Sequence, residues 1–508
     1  MNLDRLSAAY AEDKGDQCAL QTFSLRQKIC YLLVVVCVLL LFLWRWEYAL
    51  LLATAWITCL YTFVVLFKLA AVCLSMRHRA QAYPPVKDLP VYTILVPLYR
   101  EPNVAKTIIH HIGLLDYPVD KLDVKLLLEA DDEETNTVVD ALDLPGYMEV
   151  IQPPREGPRT KPKACNYGLE KAKGEFVVIY DAEDRPEPDQ LKKAVAMFAA
   201  MPKEVACLQA RLNFFNRAQN WLTKFFTVEY TLWFDLYLPG LQRMRSPIPL
   251  GGTSNHFRAG VLHGIGGWDP FNVTEDCDLG IRLHVMGHET RMLDSTTWEE
   301  ANSGFWNWIR QRSRWVKGYF QTYLVFMRHP LRLARDLGIR GLFGFLFAVG
   351  GHSLMVVLNL VVWTVLAAYI FLLGIDVIVD AKPLWEVMTG DRWMARRSWK
   401  LLHAFGEEPL GHSVLSLVLF SFSGLLFFSN FIFIGLGVVA CLRRKFKGLL
   451  WAAIFFPIYW VMVSLGGLKG FIQLFTNPHY WEKTHHGLEC GLQRCCFRFR
   501  AAWWATTS

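Results

Sequence analysis

The sequence predicts an α/β domain built on a mostly parallel sheet and inserted between transmembrane α-helices, with amphipathic helices at its membrane face. Three observations lead there. Long, nearly uncharged apolar runs stand near both ends of the 508-residue chain. The middle is mixed in charge and punctuated by Gly and Pro, and within it short β-branched runs alternate with helical periodicity. A chain that is 53% hydrophobic is too apolar for an ordinary soluble enzyme, yet this middle is too charged for a pure transporter.

Residues 1–28 form a tail expected in the cytosol. Ile29–Trp44 and Tyr48–Phe67 are nearly free of charge. At about 1.5 Å per residue the first just reaches across a hydrocarbon core of about 30 Å and the second spans it comfortably. They predict a two-helix hairpin within 29–76. The first run ends in Trp44-Arg45-Trp46-Glu47 and re-enters, without the small-residue site of a cleaved leader. Arg26 and Lys28 before the hairpin and Arg77 and Arg79 after it place both flanks in the cytoplasm. The domain that follows, 77–340, is therefore cytosolic.

Val91–Val96 is a β-branched run closed by Pro97, and the turn Tyr99-Arg100-Glu101-Pro102 leads into a helical pattern at Val104–Leu115. Val124–Leu128 is a second short strand and ends in Glu129-Ala130-Asp131-Asp132. Glu175–Tyr180 is a third and ends in Asp181-Ala182-Glu183-Asp184. Right-handed crossovers bring both acidic clusters to the carboxyl edge of one sheet, where open α/β sheets bind ligands. A GxGxxG after the first strand and a Walker lysine are both missing, which disfavours dinucleotide dehydrogenases and P-loop NTPases. Aromatic-rich segments near 220–244 and 299–329 predict helices lying along the cytosolic membrane face.

Apolar sequence returns at His352–Gly374, Ser413–Leu442 and Leu449–Leu465. Leu342–Gly351 reads either as the start of a span or as an interfacial helix, and Gly466–Phe475, interrupted by Lys469, as a span end or a re-entrant return. Residues 341–476 thus hold three or four helices. The cluster Arg443, Arg444, Lys445 and Lys447 marks a second cytosolic point. Residues 477–508, with Arg494, Arg498 and Arg500, form a basic tail that reads as cytosolic, which an odd number of spans opposes unless the last segment doubles back. No regulatory domain is expected after the last apolar run. The net charge of +7 lies largely in such flanks, which fits a lipid bilayer with anionic headgroups; no nucleic-acid motif is present. The 12 Cys are mostly single and lack zinc spacing, as free cytosolic thiols would be; Cys490, Cys495 and Cys496 in the tail are surface thiols or palmitoylation sites.

Asp181, Glu183 and Asp184 offer hard oxygen ligands for Mg²⁺ or Mn²⁺ against a diphosphate. In isolation they also read as an acidic turn capping a helix at Asp189–Ala200. Thr274-Glu275-Asp276-Cys277-Asp278 follows Gly266-Gly267-Trp268-Asp269 and opens a helical pattern at Leu279–Val285. Acids suit a helix N-terminus, and the same position orients Asp276 as a general base for an attacking hydroxyl. Gln311-Arg312-Ser313-Arg314-Trp315 lies in the aromatic segment read as an interfacial helix.

Taken in order and flanked by apolar runs, these motifs resemble the processive family-2 glycosyltransferases, the superfamily of cellulose, chitin and hyaluronan synthases. The resemblance covers roughly residues 90–320 and implies a GT-A fold. It implies that Pro97, Tyr99, Glu101, Asp131 and Asp132 contact the uridine of a UDP-sugar and that Lys161 approaches its diphosphate. Asp181 and Glu183 match the metal-binding motif, although the family usually has Asp where Glu183 stands, and the adjacent Asp184 is the other candidate. Asp276, with Glu275 beside it, matches the catalytic base. Gln311 and Arg314 would stabilise the departing diphosphate, and Trp315 would stack on the acceptor sugar. Ser254, Asn255 and His256 belong to the stretch that lines the acceptor site in such enzymes.

Glu129 and Trp481-Glu482-Lys483-Thr484-His485-His486-Gly487 resemble a bacterial exopolysaccharide-synthase subgroup. The implied activity is inverting transfer from a UDP-sugar, glucose first, onto a growing β-linked glycan secreted through the chain's own spans in a bacterial inner membrane. The alternative is one sugar added to a membrane lipid such as ceramide. Linkage and oligomeric state are not indicated.

Overall fold

The computed structural model describes residues 3–76, 83–364 and 431–484. Helix α1 (Arg5–Lys14) precedes α2 (Leu25–Trp44) and α3 (Trp46–Ser75). A capping box opens α2: the Ser24 hydroxyl accepts from Gln27 N at 3.3 Å, and Gln27 Oε1 accepts from Ser24 N at 3.0 Å. Leu32, Leu39 and Leu43 of α2 point outward, as a helix facing lipid requires.

Among the described residues, four helices are long and apolar enough to cross a membrane: Leu25–Trp44, Leu52–Ser75, Pro330–Thr364 and Phe456–Thr476. The third kinks at Gly338 (φ +63°), and beyond the kink Leu342–Gly351 runs on into the apolar helix that ends at Thr364 rather than forming a separate interfacial one. In the fourth, Gly466–Phe475 continues the helix in spite of Lys469. The expected apolar residues 365–374 and 413–430, the flanking Arg77 and Arg79, and the tail from His485, with its Arg and Cys residues, lie outside the described residues.

The domain between these helices carries one sheet of eight strands: β1 (Tyr92–Leu98), β2 (Leu122–Leu128), β3 (Met148–Ile151), β4 (Phe176–Ile179), β5 (Arg185–Pro186), β6 (Val205–Phe214), β7 (Asn255–Arg258) and β8 (Glu289–Glu299). Their order is β3-β2-β1-β4-β7-β6-β8-β5. β3, β2, β1 and β4 pair in parallel, with Ile94 opposite both Val124 and Val178. β7 runs antiparallel between β4 and β6, and β5 antiparallel to β8, so the sheet is mixed.

The parallel strands are covered on both faces and therefore read as continuous apolar runs. Ile94, Val96, Val124, Leu126 and Val178 are fully buried, each worth about 1.5–3 kcal/mol of burial. Helices α4 (Pro102–Gly113), α5 (Glu133–Asp140), α6 (Lys161–Glu170) and α7 (Gln190–Ala200) make the crossovers. α8 (Trp221–Leu232) runs through a π-helical turn into α9 (Leu238–Met244), and α10 (Ala259–Gly264) follows β7. Next come α11 (Glu275–Val285), α12 (Phe305–Phe326) and α13 (Pro330–Phe345). The described chain ends with α14 (Phe431–Arg443), α15 (Leu450–Ile454) and α16 (Phe456–Thr476).

Glycines set two helix contacts that position the site. A Cβ at Gly470 of α16 would stand 2.4 Å from the carbonyl oxygen of Ser313 in α12, and one at Gly318 of α12 would stand 2.3 Å from Thr274 Oγ1. Only glycine lets α12 lie against both the last membrane helix and the start of α11. The N-terminal segment is clamped to the same body. Asp269 accepts from Ala19 N at 2.7 Å and from Phe271 N at 2.9 Å, and Gln27 Nε2 donates to Leu324 O at 2.7 Å.

Candidate active site

The carboxyl ends of β1, β2 and β4 open into a cleft of about 600 Å³. β1 delivers Pro97, Tyr99 and Glu101 to it. Arg100 in that turn adopts φ +54°, a left-handed conformation uncommon for a side-chain-bearing residue, and its N–H donates to Asp132. β4 delivers Asp181 and Glu183, and the first turn of α6 delivers Lys161. Lys161 Nζ donates to Asp181 Oδ1 and, at 2.6 Å, to Gly252 O.

A methyl group at Gly252 would lie 3.5 Å from Asp276 Oδ2, 3.8 Å from Lys161 Nζ and 3.9 Å from Asp181 Oδ2. Two carboxylates and an ammonium thus converge on one glycine. Asp276 stands in the first turn of α11, where Oδ1 accepts from Cys277 N at 2.8 Å. Burial raises the Asp276 carboxyl to about 6 against the pull of the Cys277 N–H, Lys161 and Arg314. Burial, and then the charge of Asp276, push Glu275 to about 8. Of the two, Glu275 holds its proton the more tightly and Asp276 is the first to ionise. Burial alone would depress Lys161, but Asp181 and Glu275 hold its ammonium well above the usual range.

On α12, Gln311, Arg314 and Trp315 face the cleft, as the i, i+3, i+4 spacing dictates. Gln311 Oε1 accepts from Asn302 at 3.0 Å. Arg312 lines the cleft as well, while Ser313 packs against Gly470 of α16. Arg312 donates to Glu229 of α8 and, at 2.8 Å, to Tyr459 OH of α16. Beyond Trp315 the cleft runs on to His352, Ser353, Val356 and Val463 of the membrane helices. There it meets a second cavity of about 140 Å³ walled by Trp233, Phe456, Tyr459 and Trp460 and including Tyr61, Lys68 and Asn359.

Five expectations are corrected by position. Asp184 turns inward, where Oδ2 accepts from Asp181 N at 2.8 Å and from the Thr253 hydroxyl, so it braces the loop rather than facing the cleft. Ser254, Asn255 and His256 do not line the cleft either, because β7 carries them into the sheet. Ser254 Oγ donates to Thr297 Oγ1 at 2.7 Å, Asn255 Nδ2 to Gly251 O at 2.6 Å, and His256 shares a hydrogen bond with Tyr92 OH at 2.7 Å. Their neighbours Gly251, Gly252 and Thr253 line the cleft instead. Asp132 caps α5 through Thr135 N and is buried. Asp131 pairs with the cleft-lining Arg159 at 2.7 Å.

Sequence reasoning assigned no role to the residues that close the cleft from above. His479, Tyr480, Trp481 and Lys483 line it. Lys317 Nζ donates to Tyr480 O at 2.7 Å, and Lys469 Nζ to Glu482 Oε1 at 2.6 Å, which pins the segment after α16 across the opening. The signal in the sequence was the Trp481–Gly487 stretch, which the subgroup resemblance marked without giving it a place in the cleft.

No group of three or more His, Cys, Asp or Glu side chains forms a metal cage among the described residues. Asp181 and Glu183 nevertheless present two carboxylates to the cleft, which fits a hard divalent cation that takes its other ligands from phosphate and water.

Fold and cleft together define the class. Residues 90–318 match the family described as Glycosyltransferase like family 2. That match takes in under half of the chain, and together with relatives named as glycosyltransferases it supports an enzyme of the transferase class. The chain is 28% identical over 270 residues to the probable glycosyltransferase YdaM of Bacillus subtilis, covering 52% of this chain and 63% of that protein. It is also 28% identical over 246 residues to the beta-monoglucosyldiacylglycerol synthase of Synechocystis, covering 47% of this chain and 50% of that protein. The matches thus span about half to two thirds of these relatives. The structure of the mannosyltransferase PcManGT from Pyrobaculum calidifontis, in complex with GDP-Man and Mn²⁺, is similar at TM-score 0.50 and 17% identity over 85% of this chain and 99% of that one. This likeness establishes the GT-A-like fold.

Proposed function

We propose that this chain is an inverting membrane glycosyltransferase that moves a hexose from a UDP-sugar onto a glycan arriving from the membrane side. One observation carries the reading: a single cleft runs from Tyr99 and Glu101, past Asp181 and Asp276, to Trp315 and on to Val356 and Val463 among the apolar helices. Donor and acceptor can then meet at Asp276 from opposite ends.

In this reading Asp276 takes the proton of the attacking hydroxyl, and the hydroxyl oxygen displaces the diphosphate from the anomeric carbon in one step, giving a β-linkage. Lys161 and Arg314 lie on the leaving-group side, where fixed cations stabilise the charge that develops. Glu275 holds its proton more tightly than Asp276, which leaves Asp276 as the first of the pair to ionise. Asp181 and Glu183 would hold Mg²⁺ or Mn²⁺, which neutralises diphosphate charge when bound. Mn²⁺ accompanies the nucleotide sugar in the structurally similar mannosyltransferase, which supports a divalent ion here.

A β-glucan is the proposed product, leaving through the membrane helices in the plasma membrane of a bacterium while the catalytic domain faces the cytoplasm. The aromatic second cavity in line with Trp315 supports that path. A single-sugar transfer to a lipid is the second reading, supported by the relative named as a glucosyldiacylglycerol synthase. Incubation of the purified full chain with radiolabelled UDP-glucose and Mn²⁺ decides between them. A polymer digested by a linkage-specific glucanase supports the first reading; a solvent-extractable single-sugar lipid overturns it.

A further inference from the structure

Glu229 stands at the junction of the two cavities and lines both. Its carboxylate is bound in a closed triad. Arg312 Nη1 donates to Oε1 at 2.8 Å, Arg312 Nη2 donates to Oε2, the Tyr459 hydroxyl donates to Oε2 at 2.6 Å, and Arg312 Nη2 also reaches the Tyr459 oxygen at 2.8 Å. The partners are themselves rigid. Arg312 and Tyr459 are buried, and the guanidinium carbon of Arg312 lies 4.7 Å from the ring centre of Phe226 and 4.8 Å from that of Trp315.

A carboxylate accepts about four hydrogen bonds, and these partners supply three. The Glu229 side chain stays 24% exposed toward the cavities, so one lone pair of Oε1 is available to a ligand there. Tyr230 and Trp315 lie beside it with ring centres 6.2 Å apart. An ion-paired carboxylate next to aromatic faces suits a neutral, hydroxyl-rich ring: the faces pack against C–H groups, and the carboxylate accepts from a hydroxyl. With its charge already matched by Arg312, Glu229 is suited to hold a hydroxyl and not to remove its proton.

We infer that Glu229 is an acceptor-binding residue, accepting a hydrogen bond from the glycosyl unit behind the one being extended. Arg312 and Tyr459 are its positioning residues. This rests on the glycan-acceptor reading above.

The test uses the full chain in nanodiscs with short β-glucan oligosaccharides as primers. Glu229→Gln keeps size and the Tyr459 hydrogen bond but gives up the charge-assisted acceptor. It should raise the primer KM about tenfold, in line with a hydrogen bond to a charged group, while UDP affinity by tryptophan fluorescence shifts less than twofold. Tyr459→Phe keeps the ring and should raise the primer KM about threefold. An unchanged primer KM in both variants overturns the inference, as does a loss of UDP affinity that parallels the rise in KM. Should Glu229→Gln fail to fold, Tyr459→Phe decides alone. A wild-type chain that binds UDP but extends no primer overturns the glycan-acceptor reading itself and is distinguishable from either result.

Discussion

The ring centre of Trp481 lies 4.4 Å from the guanidinium carbon of Arg314, so the segment after the last membrane helix sits directly on the Gln-x-x-Arg-Trp motif. Two residues on, Lys483 Nζ donates to Glu101 Oε1 at 2.5 Å, at the Tyr99 end of the cleft. Trp481→Ala and Lys483→Ala should each raise the donor KM, by about five- to tenfold for loss of a cation–π or charged contact. Steady-state kinetics over a range of donor concentrations check this, and an unchanged KM in both variants refutes it.

Asp276→Asn removes the proposed proton acceptor while keeping the side chain's shape. Transfer should fall by about 10²–10⁴-fold, the usual contribution of a positioned base, with UDP binding almost unaffected. A variant as active as wild type would rule Asp276 out as the base.

The elevation of Asp276 to about 6 ties activity and stability to pH in opposite senses. Catalysis needs the ionised carboxylate, so kcat/KM should rise through about pH 6. The unfolded carboxyl titrates near 3.9, so the native state holds this proton more tightly. Its contribution to stability is present in full below pH about 4 and is lost as pH rises to about 6. A pH–rate profile gives the first limb, and Asp276→Asn should abolish that limb in any residual activity.

The two acids that flank Glu183 should separate by assay. Asp181→Asn should abolish divalent-ion-dependent transfer, and chelation of the wild type should do the same until Mn²⁺ or Mg²⁺ is returned. Asp184→Ala should instead lower thermal stability, by about 1–3 kcal/mol, because it removes the acceptor that Asp181 N and the Thr253 hydroxyl share. Metal titration and melting curves on both variants distinguish the roles.

Gly470→Ala should cost about 1–3 kcal/mol through overpacking, since the added carbon would meet the Ser313 carbonyl at 2.4 Å. Activity should fall with it, because α12 carries Arg314 and Trp315. A melting curve unchanged from wild type would contradict this.

Much of this arrangement was legible from local pattern. Asp181 follows a fully buried strand, and Asp276 opens a helix whose apolar period begins directly after it, so both sit where strand ends and helix starts put side chains. The inward turn of Asp184 was not legible, because it depends on Thr253, 69 residues further on. Ser254, Asn255 and His256 were misread because β7 enters the sheet antiparallel, a pairing that short apolar runs do not encode. The contact of Lys483 with Glu101 joins residues 382 apart, beyond the reach of any periodicity. The membrane helices followed from length and composition alone, and the glycines between α12 and α16 acquired meaning only once the helices were seen to touch.

The clamp between Ala19 and Asp269, together with that between Gln27 and Leu324, ties the first apolar helix to the loop before α11 and to the end of α12. Asp276 therefore keeps a constant depth relative to that helix, as a gauge block does. A thicker or thinner bilayer tilts or shifts the whole assembly and leaves the reacting geometry as it is, so lipid composition should govern how readily an acceptor finds the entrance and not how fast a bound one reacts.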